Sequence, residues 1–281
     1  MRVTVLIENR AHEGLAEEHG LSLLVEHGDK RYLLDSGATD SFADNARKLG
    51  VDLSAVDAAF LSHAHYDHSG GFDLFFALNR RAVLYLQDEC AEDCWSVSPV
   101  EQRYIGIPVG LLESRRSRLR FVNGNIQVFP GVYIVAHSTA GLDERGKRAH
   151  MYRRQMGAFH ADDFSHEQSV VFDTAEGLVI INGCCHGGAD NIVREVCGQL
   201  PGRSVAALIG GFHLMGAGGA ETLGCTPDQA AELGRTLLGL GVGRVLTCHC
   251  TGTPGFRILK QVMGQRAEYF MTGDSVEFSE T

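Results

Sequence analysis

Leu61-Ser62-His63-Ala64-His65-Tyr66-Asp67-His68-Ser69-Gly70-Gly71 is the stretch on which the reading of this chain turns. Imidazole nitrogen is a good zinc ligand, and His63 and His65, two apart in a tight loop, can converge on one ion while Asp67 and His68 face another. A lone loop histidine reads as a solvated surface residue. Three histidines and an aspartate within six positions, bracketed by Ser62 and a Gly-Gly pair, read as a metal site. A two-metal centre also needs a bridging or anionic ligand and further histidines from elsewhere in the chain. Candidates follow strand-like segments: Asp57–Ser62 runs into the histidine loop, Leu178–Asn182 into Cys184 and His186, Ser204–Ile209 into His213, and Arg244–Thr247 into His249. Loops at strand ends are where a sheet scaffold carries function. Cys184 offers a thiolate, and His166, His186 and His249 offer imidazoles.

Outward from the loop, strands alternate with helices. Arg2–Glu8 reads as a strand, and Leu21–Glu26 and Arg31–Asp35 form a hairpin around His27-Gly28-Asp29-Lys30. Helices are expected at Ser41–Leu49 and at Phe72–Asn79, the latter capped by Ser69, followed by a strand at Ala82–Gln87. Later strands are expected at Ile126–Phe129, Val132–Ala136 and Ala267–Met271, with a hairpin of Ser169–Asp173 and Leu178–Asn182. Later helices are expected at Asn191–Leu200, Pro227–Leu240 (capped by Thr226) and Phe256–Met263. Two stretches, about 88–125 and 137–165, break the rhythm. The expectation is one α/β domain over 1–281 with two insertions, each half a sheet covered by helices on one face.

Composition narrows the class. The 281 residues are 44% hydrophobic and 21% charged, ordinary for a globular chain. No apolar run reaches the roughly 18 residues of a membrane helix. The N-terminus reads as a first strand, not a signal peptide. A net charge of −10 argues against nucleic acid as a partner. Eight cysteines without a CxxC pair exclude a zinc ribbon and suggest reduced thiols in a cytoplasm. Cys90, Cys94, Cys197, Cys225, Cys248 and Cys250 read by default as small hydrophobes. Residues 101–160 hold ten basic and four acidic residues. Within them Arg115, Arg116 and Arg118 read either as a solvated face or as a site for an anionic group gripped by guanidinium.

LSHAHYDHSGG resembles the central motif of the metallo-β-lactamase superfamily, whose fold is a four-layer αβ/βα sandwich of two halves. YLLDSG (Tyr32–Gly37) resembles the family's strand-end Asp-x-Gly, which makes Asp35 a residue that braces the metal loop. SHEQSVVFDTAEGLVIINGC (Ser165–Cys184) resembles the stretch from the third-motif histidine to the fourth-motif acid or cysteine. RVLTCHCTG (Arg244–Gly252) resembles the fifth motif. The resemblance thus implies His166 as third ligand of the first metal, Cys184 as the fourth-motif ligand, and His249 as the fifth-motif ligand. His186, two positions beyond Cys184, is the alternative third ligand or a pocket residue. GCCHGG, GGFHL and HCTG resemble a methanopterin-precursor (dihydropterin ribofuranosyl-aminobenzene phosphate) synthase-like branch.

The resemblance implies a hydrolase with two divalent ions, most readily zinc with manganese or iron as alternatives, acting on a small anionic molecule, phosphorylated or carboxylated, through a metal-bound hydroxide. Asp67 would orient that hydroxide or take its proton. His213 reads either as a proton donor or substrate contact, or as a loop histidine bonded to backbone. The branch resemblance implies instead a synthase or lyase-type step. A redox iron protein is disfavoured by His65, where diiron members have Glu. A metal-stabilised binding protein with little turnover is the remaining class.

Overall fold

The computed structural model describes residues 1–280. Two seven-stranded sheets lie face to face. The first runs, edge to edge, Ser275–Glu277, Arg2–Ile7, Ser22–His27, Lys30–Leu34, Ala58–Phe60, Val83–Gln87 and Leu119–Val122. The second runs Ala267–Tyr269, Arg244–Thr247, Val205–Gly210, Gly177–Ile181, Gln168–Thr174, Val132–Ala136 and Ile126–Phe129. In each, antiparallel pairs at one side give way to parallel pairs at the other.

Alternation sorts the side chains into three cores. Val3, Val5, Tyr32, Phe60, Ile134, Val170, Phe172, Val179 and Ile209 fill the space between the sheets. The other face of the first sheet (Leu24, Leu33, Ala59, Leu84) packs on Phe42 of helix Ser41–Lys48 and on Phe72, Phe75 and Phe76 of helix Phe72–Leu78. The other face of the second sheet (Val171, Ile180, Leu208, Val245) packs on helices Ala189–Gln199, Pro227–Gly239 and Gly252–Met263. The result is the four-layer αβ/βα sandwich. Strands covered on both sides read as unbroken apolar runs, as in Leu178–Ile181.

Several expected elements hold closely. The hairpin turns at Gly28-Asp29, with Gly28 at φ 61°. Thr226 caps its helix, joined by Gln229 in a reciprocal capping box. Other expectations are corrected. Ser69 does not cap the next helix; it sits in the short turn Tyr66–Ser69 and donates to the His65 carbonyl. Residues 88–125 and 137–165 are not irregular. Leu119–Val122 is the edge strand of the first sheet, and Cys94–Val97 and Gln102–Tyr104 join Met151–Gln155 and Ala158–Ala161 in a separate four-stranded sheet. Pairing across more than fifty residues hides this sheet from local patterns. It docks on the histidine loop, where Tyr66 N–H donates to the Ile105 carbonyl at 2.9 Å.

Candidate metal centre

All the parallel strands deliver their carboxyl ends to one rim of the sandwich, and the ligand-type residues gather there. Asp35, buried and at φ 58°, is the brace. Its carboxylate accepts from Ser62 N–H at 2.7 Å, Ser62 O–H at 2.6 Å and His68 Nδ1–H at 2.7 Å. Gly183 must be glycine here, because a Cβ would collide with Ser62 Oγ and press on His68 and Asp35.

These bonds fix tautomers. A carboxylate only accepts, so His68 carries its proton on Nδ1 and turns the Nε2 lone pair into the site. The Ser62 hydroxyl, already donating to Asp35, accepts from His63 Nδ1–H at 2.8 Å, which frees His63 Nε2. His249 Nδ1–H donates to Asn9 Oδ1 at 2.8 Å, which frees His249 Nε2. An imidazole whose outer N–H is held by an acceptor is the usual arrangement of a metal-binding histidine.

The freed atoms form two groups. In one, the His63, His65 and His186 rings lie within 4.9 Å of each other between centroids. His63 Nε2, His65 Nε2 and both His186 nitrogens are buried without a partner. In the other, His68 Nε2 is 3.3 Å from His249 Nε2, and Asp67 Oδ2 is 3.4 Å from His249 Nε2 and 3.8 Å from His68 Nε2. Cys184 Sγ, 3.2 Å from His68 Nε2, forms a further cluster with His63 and His68 and so stands between the groups. Each group has the donor types and spacing to hold one divalent ion, with Cys184 available to both.

Burial and mutual repulsion keep the first group neutral: both lower His63 and His186 well below the ordinary histidine range and bring His65 to about 4. Burial would lower His68 too, but Asp35 and Asp67 outweigh it and raise it to about 9, so it is the Nε2 proton that must leave when a cation binds, while Asp35 keeps the proton on Nδ1. The Cys184 thiol is pushed up by burial, so its proton must leave when it binds a cation.

His166 is not placed with the first group. Its Nδ1 accepts from Ala64 N–H at 3.1 Å, so the proton sits on Nε2, which donates to buried Asp162 at 3.1 Å. Neither nitrogen has a free lone pair for an ion. His166 instead grips the backbone between His63 and His65. The same tautomer leaves His65, Cys94 and Asp162 as the donors of the buried cluster that His166 completes. Glu167, next in sequence, receives His186 N–H at 2.8 Å and Gly187 N–H at 2.9 Å and so shapes the loop that carries His186. It is itself bonded to His137, which also contacts Glu195.

His213 lies beside this group, its ring 4.4 Å from His186 with Nδ1 unpartnered. Its backbone N–H donates to Cys250 Sγ at 3.3 Å. Cys250, read from sequence as a small hydrophobe, clusters with Cys184 and His249. His19 and Asn9 were also missed; neither lies in a motif, and only folding brings them to the rim.

Arg115, Arg116 and Arg118 are placed elsewhere. Arg115 pairs with Asp73 at 2.7 Å, Arg116 stacks over Phe121, and Arg118 donates to the Ala82 and Asn79 carbonyls while covering Phe76. Ala82 precedes the strand Val83–Gln87, so the run sits at the amino end of the parallel strands, opposite the histidine rim. Arg115 and Arg118 are engaged within the fold and exposed Arg116 lies over Phe121, so the run stands away from the rim rather than over the metal centre. A basic residue of that stretch that does reach the rim is Arg145, whose Nε donates to the His186 carbonyl at 2.8 Å.

A family model described as the metallo-beta-lactamase superfamily matches residues 16–151. The 7,8-dihydropterin-6-methyl-4-(beta-D-ribofuranosyl)-aminobenzene-5'-phosphate synthase of Methanocaldococcus jannaschii is 25% identical over 274 residues, covering 93% of this chain and 90% of that protein. A crystal structure of a metal-dependent hydrolase of the beta-lactamase superfamily aligns with a TM-score of 0.83 and 29% identity over 100% of both chains. Zinc-bound PqqB from Methylobacterium extorquens shares the fold alone, with a TM-score of 0.60 and 12% identity over 99% of this chain and 100% of that one. No helix among the described residues is long and apolar enough to cross a membrane.

Proposed function

The chain belongs to the metallo-β-lactamase superfamily, and from that premise we propose that it is a metal-dependent hydrolase of a small anionic, phosphorylated molecule. The carrying observation is the pair of donor groups around Cys184, whose outer nitrogens are tied to Asp35, Ser62 and Asn9 so that lone pairs face inward. In this reading His63, His65 and His186 would hold one ion, Asp67, His68 and His249 would hold the other, and the Cys184 thiolate would be available to either. Two divalent ions, zinc on this mixed nitrogen, oxygen and sulfur donor set, supply Lewis acidity toward a substrate oxygen and lower the pKa of water.

The residues supply the rest. Asp35 and Ser62 hold the imidazole tautomers without rearrangement. His213, with a free Nδ1 beside His186, contacts the substrate or moves a proton to its leaving group. Phe164, stacked on His186 at 4.8 Å, fixes that ring and screens it from water. Arg145 brings a cation to the rim without an acidic partner among the described residues and favours an anionic substrate. The eight free cysteines fit a reducing, cytoplasmic setting.

A second reading, a synthase step on a pterin-ribofuranosyl-aminobenzene phosphate, is favoured by the similarity to the Methanocaldococcus jannaschii synthase. Elemental analysis of protein purified without added metal, followed by a phosphate-ester and lactone screen, tests the first reading. About two equivalents of metal and ester turnover that a chelator abolishes are expected. Full metal with no hydrolysis of any ester, but turnover of the pterin precursor, would replace it with the second.

A further inference from the structure

His19 belongs to no motif, yet it ends at the metal rim. It lies in the connection between strands Arg2–Ile7 and Ser22–His27, and its backbone is held on both sides. Glu18 N–H donates to the Glu8 carbonyl at 3.1 Å and Leu21 N–H to the Asp67 carbonyl at 3.1 Å. A Cβ at Gly20 would come within 2.8 Å of Ala38 N and of Asp67 O, so the chain runs tight against the histidine loop. The side chain is thus presented by a fixed backbone. Its ring lies 4.8 Å from the His249 ring, and its Nε2 is 3.3 Å from Asp67 Oδ2. The His63, His68 and His249 side chains are closed off from water, whereas that of His19 is 45% exposed, so an incoming molecule can touch it.

Asn9 decides what this imidazole offers. Its Oδ1 accepts from His249 Nδ1–H, which leaves its Nδ2–H₂ to donate, and the partner is His19 Nδ1 at 3.3 Å. His19 Nδ1 is therefore the acceptor, and the proton of the neutral ring sits on Nε2. One amide sets two histidines in opposite tautomers: His249 turns a lone pair inward, and His19 turns an N–H toward the edge of the same group. An N–H cannot ligate a cation. It can donate to a negatively charged oxygen, and charge-assisted hydrogen bonds of this kind are the stronger ones.

We propose that His19 is a substrate-contacting residue whose Nε2–H binds an anionic oxygen, of phosphate or carboxylate, lying against the Asp67, His68 and His249 half of the centre. This rests on the metal-dependent reading above and adds a recognition group to it. It assigns a specific donor in place of the arginine run that the fold carries to the opposite end of the strands.

The test uses the full-length zinc-loaded protein with inorganic phosphate as probe, measured by titration calorimetry, and zinc counted by elemental analysis. Three variants separate the roles. His19→Ala removes ring and donor, His19→Phe keeps a ring over His249 without the donor, and His19→Gln restores an N–H near the Nε2 position. Equal zinc content in all four proteins is expected, with phosphate affinity about tenfold weaker in the Ala and Phe variants and largely recovered in Gln. Loss of zinc in His19→Ala would make His19 a ligand and overturn the inference. Phosphate affinity unchanged in His19→Ala, or retained in His19→Phe, would overturn it as well. Wild-type protein that holds zinc but has no affinity for phosphate or acetate would overturn the anionic-substrate reading itself, and this inference with it.

Discussion

Replacing Asp35 by Asn changes one oxygen to an amide nitrogen in a site closed to solvent. The carboxylate now receives three hydrogens, at 2.7, 2.6 and 2.7 Å, from Ser62 N–H, Ser62 O–H and His68 Nδ1–H. The amide oxygen can keep the Ser62 backbone bond, but its NH₂ then faces the Ser62 hydroxyl and His68 Nδ1. Two charge-assisted bonds are lost at about 1.5–3 kcal/mol each, so folding stability should fall by about 3–6 kcal/mol before relaxation. The larger consequence is the tautomer. With a donor opposite, His68 Nδ1 becomes the acceptor, its proton moves to Nε2, and the lone pair that faces Asp67 and His249 is gone. Loss of such an outer partner lowers metal affinity about 10–100-fold, or about 1.4–2.7 kcal/mol. Asp35→Ala leaves a small cavity yet lets His68 adopt either tautomer, so it should bind metal better than Asp35→Asn. Zinc competition against a chelator, alongside urea denaturation of each metal-loaded variant, reads both quantities. Wild-type zinc affinity in Asp35→Asn, or the opposite order of the two variants, would refute the tautomer argument.

Three further outcomes are expected. His186→Ala should lose about half the bound metal, whereas His166→Ala should keep it but lose about 3–5 kcal/mol of stability, since Asp162 is left charged and buried; retained metal in His186→Ala and lost metal in His166→Ala would reverse the assignment. His137 is pulled down by burial but carried from 6.5 to about 10 by its bonds to Glu167 and Glu195. Its contribution to stability is therefore complete below about pH 6.5 and lost as pH rises toward 10, while the lowered Glu167 and Glu195 lose theirs only as pH falls below about 4.5. Denaturation from pH 6 to 10 should show wild type losing more stability than Glu195→Gln, and parallel curves would rule the network out. Cys184 should be protected from alkylation by metal, and Cys184→Asp should retain both ions whereas Cys184→Ala loses one; equal alkylation rates with and without chelator would exclude it as a ligand.

The sequence alone carried the sandwich and much of the rim. Apolar runs such as Leu178–Ile181 read as strands, the family resemblance implied the sandwich they build, and HAHYDH, Asp35, Cys184 and His249 each follow such a strand, so local chemistry and local position agreed. What it left open was decided by partners far along the chain. Spacing and resemblance favoured His166 over His186, because neither shows which nitrogen holds the proton, on which an imidazole's capacity to ligate depends. Ala64 N–H, 102 positions away from His166, answers that. The same holds for His19, whose proton is set by Asn9, and for Asn9 itself, placed by His249 240 residues later. The small sheet needed Trp95 to meet Tyr152, and the basic run lost its substrate role once Asp73 and the Ala82 carbonyl stood opposite it. A motif fixes which atoms are available. A hydrogen bond across the fold fixes which of them are free, and that depends on directions in space that no linear spacing contains.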